Sequence, residues 1–297
     1  MSTRLLIDTD VALGLRHEGR PRDIDDGFAI VEAINVDDLE LRGVTTVFGN
    51  APHDAVHRVA AEIIRLKKAA VPVVPGAARP LPQAGDLPDP NPAVEFMASQ
   101  LAQTSMAIAA IGPLTNIGLL VHHYPEVLTN ISSLIIVAGR SIGASFYIGD
   151  IGPVRDFNFE HDVRAAELVM TSSVPLVLAG FELTSQVTIT QADLATIAAQ
   201  GGTTAEYFHT NSLAWCQYWI DAFAEPGFHP WDSAAIAWLR HPEYFQCEAR
   251  GWRIDRTGET PRLECDRNLP GPTVTYCTGF APAGSDSFVR DVVSTVY

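Results

Sequence analysis

Short apolar runs alternate with helical patterns along most of this chain, and this alternation strongly limits the folds it can adopt. The apolar runs, each of which predicts a buried strand, are Arg4 to Ile7 and residues 39–48, 71–76, 107–112, 134–139 and 175–180. The helical patterns between them cover Asp26 to Asn35, His53 to Lys68, Pro92 to Ala102, and His161 to Met170. Such alternation predicts an α/β fold, with a mainly parallel central sheet and helices on both faces.

The remaining segments complete this picture without dividing the chain. Residues 79–92 contain five prolines, which indicates a surface loop. Residues 190–240 are predicted to be mostly helical, and residues 247–278 are predicted to form short strands with turns. Because no stretch has the composition of a linker, we expect residues 1–297 to form a single domain.

Composition excludes several classes of protein. A formal net charge of −15 argues against a nucleic-acid-binding protein, which would carry a basic patch. The N-terminus meets charge too early for a signal peptide, and no apolar run approaches the roughly 18 residues of a membrane span. We therefore expect a cytoplasmic protein, in which the cysteines are free thiols because none forms a CxxC pair: Cys216, Cys247, Cys265 and Cys277.

Carboxylates are crowded just after the first predicted strand. Asp8 and Asp10 follow the strand directly, and Asp23, Asp25 and Asp26 precede or open the next helix. Ligands of parallel sheets bind beyond the carboxyl ends of the strands, so these acids belong at a binding crevice. Helix capping explains one or two of them. The whole set indicates a divalent cation with oxygen ligands, either Mg²⁺ or Ca²⁺, and Ca²⁺ is favoured if a carboxylate uses both oxygens.

Six motifs in order resemble the inosine–uridine-preferring nucleoside hydrolases, whose N-terminal signature is Asp-x-Asp-Pro-Gly-x-Asp-Asp. The chain matches this signature with Asp8-Thr9-Asp10, an insertion, and Asp25-Asp26. The other five motifs are GVTTVFGN ending at Asn50, IGPLTNIG at 111–118, RDFNFEHDVRAAELVM at 155–170, FELTSQ at 181–186, and WDSAAIAWLRHPEYF at 231–245. The resemblance covers most of the chain and implies the nucleoside hydrolase fold, with an open Rossmann-like core.

The resemblance also implies a chemistry. It predicts an enzyme that cleaves the N-glycosidic bond of ribonucleosides, or of a related N-riboside, to ribose and free base. A Ca²⁺ ion would be held by the carboxylates of Asp10, Asp26 and Asp232 and by the backbone carbonyl of Ile111. The ion would hold the ribose 2′- and 3′-hydroxyls and a water, and Asp10 would take the proton from that water.

Further residues are assigned to substrate by the same resemblance. Asp25 and Asn50 would bind the ribose hydroxyls, Asn158 the sugar, and Asp156 its 5′ end. Asn50 could instead be a turn residue, and Asp156 a surface acid near the preceding arginine. Asp8 has either a structural role or a role in orienting its neighbours. Family members are commonly dimers or tetramers, so we expect a homodimer or homotetramer acting on a small-molecule nucleoside.

The chain departs from the family pattern in several places. Eleven extra residues, VALGLRHEGRP, separate Asp10 from the Asp25–Asp26 pair, and they form either a flap over the pocket or a surface loop. Trp231 stands where many members have a histidine associated with protonating the leaving group. Tryptophan cannot act as that acid, but it can stack on a base. His229 lies two residues earlier, where packing is the more common role for a lone histidine.

Two further departures concern other parts of the pocket. The family often carries a His-Gly pair after the third strand, and the proline-rich loop at 79–92 lacks one. Asp156 replaces the glutamate that the family uses at the sugar tail, and Asp150 replaces an asparagine. We therefore expect the 5′ and base subsites to differ from those of the family, whereas the residues that would hold metal and ribose are nearly complete.

Other functions remain open at this stage. A phosphatase of the haloacid-dehalogenase type also has Asp-x-Asp after its first strand, but it needs a downstream lysine and leaves the Asn50 and Asn158 motifs unexplained. A nucleoside- or ribose-binding protein on the same scaffold, with little or no catalysis, is the main alternative because the histidine is missing. The aromatic helices at 203–223 belong either to the core or to a subunit interface.

Overall fold

The computed structural model describes residues 2–297. Its strands are β1 (Thr3–Thr9), β2 (Arg16–His17), β3 (Arg20–Pro21), β4 (Leu39–Thr46), β5 (Val73–Pro75), β6 (Met106–Ala110), β7 (Ile131–Ile136), β8 (Arg140–Ser141), β9 (Phe146–Ile148), β10 (Ile151–Val154), β11 (Leu176–Leu178), β12 (Ile189–Thr190), β13 (Gly227–Phe228), β14 (Phe245–Asp255), β15 (Arg262–Asp266) and β16 (Thr273–Phe280).

The α-helices follow the strands in the expected alternation. They are α1 (Asp25–Asn35), α2 (His53–Leu66), α3 (Pro92–Leu101), α4 (Thr115–His123), α5 (Phe157–His161), α6 (Val163–Met170), α7 (Phe181–Thr184), α8 (Gln191–Gln200), α9 (Gly202–Phe223), α10 (Ser233–Arg240) and α11 (Gly284–Ser294). Among residues 2–297, no helix combines the length and apolar character needed to cross a bilayer.

The central sheet has the strand order β5-β4-β1-β6-β7-β11-β16-β14-β15-β8. Neighbouring strands from β5 through β16 run parallel, whereas β14 is antiparallel to both β16 and β15. The predicted α/β fold with a mainly parallel sheet is therefore confirmed. Parallel strands bring their carboxyl ends to one edge, and this edge is where the acidic residues gather.

Both faces of the sheet are covered by helices, as the apolar strands require. Side chains alternate along a strand. Leu5 and Ile7 accordingly belong to the apolar cluster that contains Phe28 of α1, and Leu6 belongs to the cluster that contains Val94 of α3. A strand buried on both faces can only be apolar throughout, which explains the unbroken run at the start of the chain.

Three segments differ in detail from the prediction. The helix expected from His161 begins at Val163, because Asp162 caps it by accepting a 3.0 Å hydrogen bond from the Ala165 amide. The tail expected to form short strands contains β14, which is eleven residues long and extends the main sheet. Two small antiparallel hairpins, β2–β3 and β9–β10, lie outside that sheet. The hairpin β2–β3 is formed by the insertion after Asp10.

Candidate active site

The carboxyl edge of the sheet supplies the floor of the candidate site. Asp10 comes directly after β1, Asn50 lies in the turn after β4, and Ile111 follows β6. Because these three strands are neighbours in the sheet, residues far apart in sequence meet at this edge. The first turn of α1 and the residue just before α10 approach the same place, and they contribute Asp25, Asp26 and Asp232.

Asp10 is buried but keeps one carboxylate oxygen without a partner. Its side chain is 1% exposed, and its Oδ2 accepts a 2.7 Å hydrogen bond from the Asn50 amide. Its Oδ1 has no hydrogen-bond donor within the described residues. Burial, and then the negative charge of Asp26, raises the pKa of Asp10 well above its usual value. The residue is therefore oriented by one oxygen and left chemically available at the other.

Asp25, Asp26 and Asp232 form a compact acidic group, in which one oxygen from each lies within 4.8 Å of the others. The Asp232 amide donates to Asp25 Oδ2 at 2.8 Å. The Asp10 amide donates to Asp26 Oδ1 at 3.2 Å, and the Thr9 hydroxyl also donates to that oxygen. Asp25 Oδ1 and Asp26 Oδ2 are left without donors. Asp25 and Asp26 are thus each held by one carboxylate oxygen and present the other.

This group carries more negative charge than its surroundings neutralise. Burial, followed by the charge of Asp25, raises the pKa of Asp26 to about 7. Burial and the neighbouring aspartates raise the pKa of Asp232 well above its usual value. Buried carboxylates without partners are unfavourable, and a divalent cation with oxygen ligands would satisfy them. The residues present therefore fit a hard metal ion.

The compact group differs from the predicted ligand set in one member. Asp26 and Asp232 were both predicted ligands and lie together, but the third member is Asp25, which was assigned to substrate. Asp10 adjoins the group because its backbone amide donates a hydrogen bond to Asp26. The Ile111 carbonyl accepts a 3.2 Å hydrogen bond from Asn158 Nδ2, and a carbonyl has a second lone pair for another partner.

A cavity of about 450 Å³ opens above this floor. The predicted residues that line it are Asp10, Asn50, Ile111, Asp156, Asn158, Trp231 and Asp232. Asp25 and Asp26 do not line the open space, which places them behind its floor. The volume is that of a site for a small organic molecule.

The residues predicted for the sugar are held rigidly. Asn158 Nδ2 donates to the carbonyls of Ile111 and Val137 at 3.2 Å each, so two strand ends orient its amide. Asp156 is buried, and its Oδ2 accepts a 2.9 Å hydrogen bond from the Gly139 amide. Burial raises the pKa of Asp156 to about 6, although Arg140 opposes the shift. Asp156 is thus not a surface acid.

The upper wall of the cavity is aromatic. Trp231 stacks on Phe181 with ring centroids 5.9 Å apart, and it contacts Trp219 at 5.4 Å. The other aromatic residues of the wall are Phe146, Phe157, Trp215, Tyr218 and Phe223. Most of this wall is not among the residues predicted from sequence. The signal was the spacing of positions 215, 219 and 223 on one face of α9, which was interpreted as core or interface.

The insertion after Asp10 contributes to the cavity, whereas the two remaining candidate residues, His229 and Asp8, do not. Arg20 and Pro21 of the insertion hairpin line the cavity, as does Arg22 directly after it, so this segment forms part of the wall. His229 is buried against Trp219, with its Nδ1 2.7 Å from the Val187 carbonyl oxygen, and it does not line the cavity. Asp8 lies beneath the floor, where its Oδ1 accepts from the Thr45 hydroxyl at 2.6 Å.

Buried acids under an aromatic cavity, at the carboxyl edge of a parallel sheet, define an α/β protein with a small-molecule site. The particular family follows from comparison with known proteins. The chain belongs to the inosine-uridine preferring nucleoside hydrolase family, whose model matches residues 5–280. The protein is therefore an N-glycosyl hydrolase of the ribonucleoside hydrolase type.

Individual relatives agree with this assignment. The probable uridine nucleosidase 1 of Oryza sativa subsp. japonica is 29% identical, with 86% of this chain and 82% of the relative covered. The pyrimidine-specific ribonucleoside hydrolase RihA of Salmonella schwarzengrund is also 29% identical, with 79% and 82% covered.

Solved structures show the same fold at lower identity. A plant nucleoside hydrolase, PpNRh1, superposes with a TM-score of 0.82 at 19% identity, with 99% of each chain covered. A purine-preferring ribonucleoside hydrolase from Gardnerella vaginalis gives 0.81 at 19% identity, also with 99% of each chain covered. These structural similarities confirm the predicted fold class, and the family model confirms the predicted family.

Proposed function

We propose that this protein hydrolyses the N-glycosidic bond of ribonucleosides to ribose and free base, with Asp10 as the general base and Ca²⁺ as cofactor. One observation carries the proposal. Four buried aspartates, at positions 10, 25, 26 and 232, meet at the carboxyl edge of the sheet, and at least three of them keep an oxygen without a donor. Such an arrangement is unfavourable as structure alone and useful as a cation and sugar site.

The proposed ligands of the ion are the carboxylates of Asp10, Asp26 and Asp232 and the carbonyl of Ile111. Asp25 Oδ1 is available either to the ion or to a ribose hydroxyl, since only Oδ2 accepts from the Asp232 amide. When bound, Ca²⁺ supplies positive charge that orients the ribose hydroxyls and acidifies a water. Ca²⁺ suits this site better than Mg²⁺ because it accepts a flexible shell of several carboxylate and carbonyl oxygens.

Asp10 has the properties that a general base needs. The Asn50 amide fixes its Oδ2, so the free Oδ1 can accept a proton from the attacking water. As the proton transfers, the water oxygen bonds to the anomeric carbon, and the C–N electron pair leaves with the base.

The surrounding acids support the developing charge. Cleavage of a glycosidic bond passes through an oxocarbenium-like transition state, which is positive at the sugar. Carboxylates held at fixed positions stabilise that charge without reorganising. Asn50 and Asn158 are proposed to hold the ribose hydroxyls, and Asp156 its 5′ end. Asp156 lines the cavity, and its buried carboxylate is held by the Gly139 amide, so it is preorganised for this contact.

The base is proposed to stack on Trp231, whose ring is itself stacked on Phe181. Within residues 2–297, no histidine lines the cavity. Departure of the base then depends on protonation by solvent or on a base that leaves readily. This condition favours substrates with good leaving groups, and it explains how hydrolysis proceeds with Trp231 in the histidine position.

The decisive experiment measures release of reducing sugar from a panel of purine and pyrimidine ribonucleosides, with added Ca²⁺ and with a chelator. We expect ribose release that the chelator abolishes and Ca²⁺ restores, and the ranking of substrates then defines the base pocket. Release that persists in chelator would remove the metal from the mechanism. Tight nucleoside binding without release would identify the protein as a binding protein on this scaffold.

A further inference from the structure

Two cysteines outside the cavity lie face to face in the main sheet. Cys247 of β14 and Cys277 of β16 are direct partners on antiparallel strands, and their Sγ atoms are 3.0 Å apart. The register changes beside them, because Gln246 pairs with Gly279 and the next pair is Cys247 with Cys277. Thr278 is therefore an extra residue in β16, as in a β-bulge, and this shift places the two thiols opposite each other.

The backbone geometry is that of a cross-strand disulfide. Directly opposed residues on antiparallel strands have Cα atoms about 4.5–5.5 Å apart, and their side chains share a face. Disulfides accept Cα separations of about 4.4–6.8 Å. The sulfur atoms need to approach by only about 1 Å to reach bonding distance, so the strands need not move apart or slide.

The two thiols differ in access and in reactivity. Cys247 is exposed, whereas Cys277 is 1% exposed and belongs to the apolar core. The contact between the two sulfurs lowers the pKa of Cys247 and raises the pKa of Cys277. Thiolates, not thiols, react with oxidants. Cys247 is thus the accessible nucleophile, and Cys277 is the neighbour that can resolve its oxidised form.

The other two cysteines lack these features. Cys216 and Cys265 are fully buried, and burial raises their pKa values to about 11 and about 12. Buried thiols with raised pKa values are inert toward oxidants. They serve as internal controls for any oxidation experiment.

We propose that Cys247 and Cys277 form an oxidation site that closes to a disulfide in the presence of hydrogen peroxide. The Cys247 thiolate attacks one peroxide oxygen and becomes a sulfenic acid, and the other oxygen leaves as water after protonation. The Cys277 sulfur then attacks the sulfenic sulfur, the S–O bond breaks, and a second water leaves. Overall, two thiols lose two electrons and two protons, and one peroxide becomes two waters.

The disulfide would join β14 directly to its neighbouring strand β16. It closes a loop that contains β15, and it lies one residue from Tyr276, whose hydroxyl donates to Glu182 of α7 at 2.9 Å. A cross-link restricts the unfolded chain. We expect the oxidised protein to melt higher by roughly 5 °C, and dithiothreitol to reverse the shift.

The test treats the full-length protein with a small excess of hydrogen peroxide and counts thiols after denaturation. We expect the count to fall from the four cysteines of the chain to two. The intact mass should decrease by about 2 Da, and a non-reducing peptide map should contain one 247–277 cross-link. An unchanged thiol count, a cross-link between other cysteines, or a disulfide-linked dimer would each overturn the proposal.

Matched variants separate the two roles. Cys277→Ser should stop at a sulfenic acid on Cys247, which dimedone traps, and Cys247→Ser should not react under the same conditions. Cys216→Ser should cross-link as the wild type does. Dimedone labelling of Cys277 in Cys247→Ser would overturn the assignment of the nucleophile. Because the peptide map of the wild type tests the cross-link directly, the proposal remains open to refutation even if a variant fails to fold.

Discussion

At the scale of single residues, identical side chains have different roles because their hydrogen-bond partners differ. Asp8 and Asp10 are two positions apart and both buried. Asp8 Oδ1 accepts from both the Thr45 hydroxyl and the Asn116 amide, so it ties strand to helix. Asp10 accepts one backbone bond and keeps Oδ1 free. The second carboxylate is therefore the one placed for proton transfer.

Replacing Asp10 tests this assignment. Asp10→Asn keeps the size of the side chain but removes its basicity, so we expect kcat to fall by about 10²–10⁴. Steady-state ribose release under saturating Ca²⁺ measures the effect. Asp86→Asn, a change in the exposed proline-rich loop, is the matched control and should leave kcat unchanged. Wild-type kcat in Asp10→Asn would remove Asp10 as the base.

Trp231 makes a separate prediction about the base subsite. Trp231→Leu removes the ring that stacks on Phe181, and we expect kcat/KM to fall about tenfold because base–aromatic stacking contributes about 1–3 kcal/mol. Trp252→Leu alters a tryptophan of β14 that does not line the cavity, and its kinetics should match the wild type. Equal kinetics for both variants would place Trp231 outside the substrate site.

Much of the site could be predicted from sequence because its residues follow strand ends. Asp10, Asn50 and Ile111 meet for that reason alone. The grouping of Asp25 with Asp26 and Asp232 does not follow from strand order, since it depends on a hydrogen bond from the Asp232 amide, more than two hundred residues away. The aromatic wall was missed because Trp219 is fully buried and also lines the cavity, so its pattern in sequence is that of an ordinary core residue.

At the scale of elements, the main parallel strands and the helices between them were predictable, and the small hairpins were not. The main parallel strands and α1, α2 and α3 begin within a few residues of the predicted limits, because buried strands and helix faces have a clear apolar period. The hairpins β2–β3 and β9–β10 have strands of two to four residues, which are too short to show a period. Their positions depend on packing around the cavity.

The insertion hairpin provides a prediction at this scale. Replacing residues 16–20 with a short glycine linker removes Arg20 from the cavity wall and leaves the packed Leu15 and the buried Pro21 in place, so we expect KM to rise severalfold. The melting temperature should change little, because surface loops alter the entropy of the chain only slightly. Parallel kinetics and thermal melting of both proteins measure the two effects. An unchanged KM would make the hairpin a passive surface loop.

At the scale of the whole molecule, the acidic site joins distant parts of the chain. Asp10 and Asp232 approach each other although more than two hundred residues separate them in sequence. The pKa values of both carboxyl groups are raised. A ligand that binds only the folded site stabilises the folded protein. A metal ion held by these aspartates would therefore couple its own binding to folding.

Metal removal should expose that coupling. We expect saturating Ca²⁺ to raise the melting temperature by several degrees relative to protein in chelator, since a ligand at 100 times its Kd adds about 2.7 kcal/mol. The triple change to asparagine at positions 25, 26 and 232 should abolish the shift. The same Ca²⁺ response in that variant would place the stabilising ion elsewhere.

The metal-free protein should also respond to pH in a defined direction. Burial raises the pKa values of Asp8 and Asp26 from 3.8 to about 7, so folding favours their protonated forms. Each group contributes on the order of a few kcal/mol to the free energy of unfolding. This contribution is complete below about pH 4 and is lost as the pH rises through 7. Chemical denaturation in chelator should show the free energy of unfolding falling over this range.

The control for this pH dependence is Asp8→Asn. It removes one titrating group, so the fall between pH 4 and 7 should become shallower, whereas Asp86→Asn should leave the curve unchanged. The expected fall in stability depends on burial raising the pKa values of Asp8 and Asp26. A wild-type protein that gains stability between pH 4 and 7 would therefore contradict those raised pKa values.

The two hairpins that border the cavity have a consequence for how such a protein diversifies. The acids of the floor follow the strands and helices of the main fold, so most changes there would disturb the fold as well as the chemistry. The wall formed by β2–β3 and β9–β10 is built from short segments outside the main sheet. Exchanging these segments would therefore reshape the cavity while leaving the acidic floor in place.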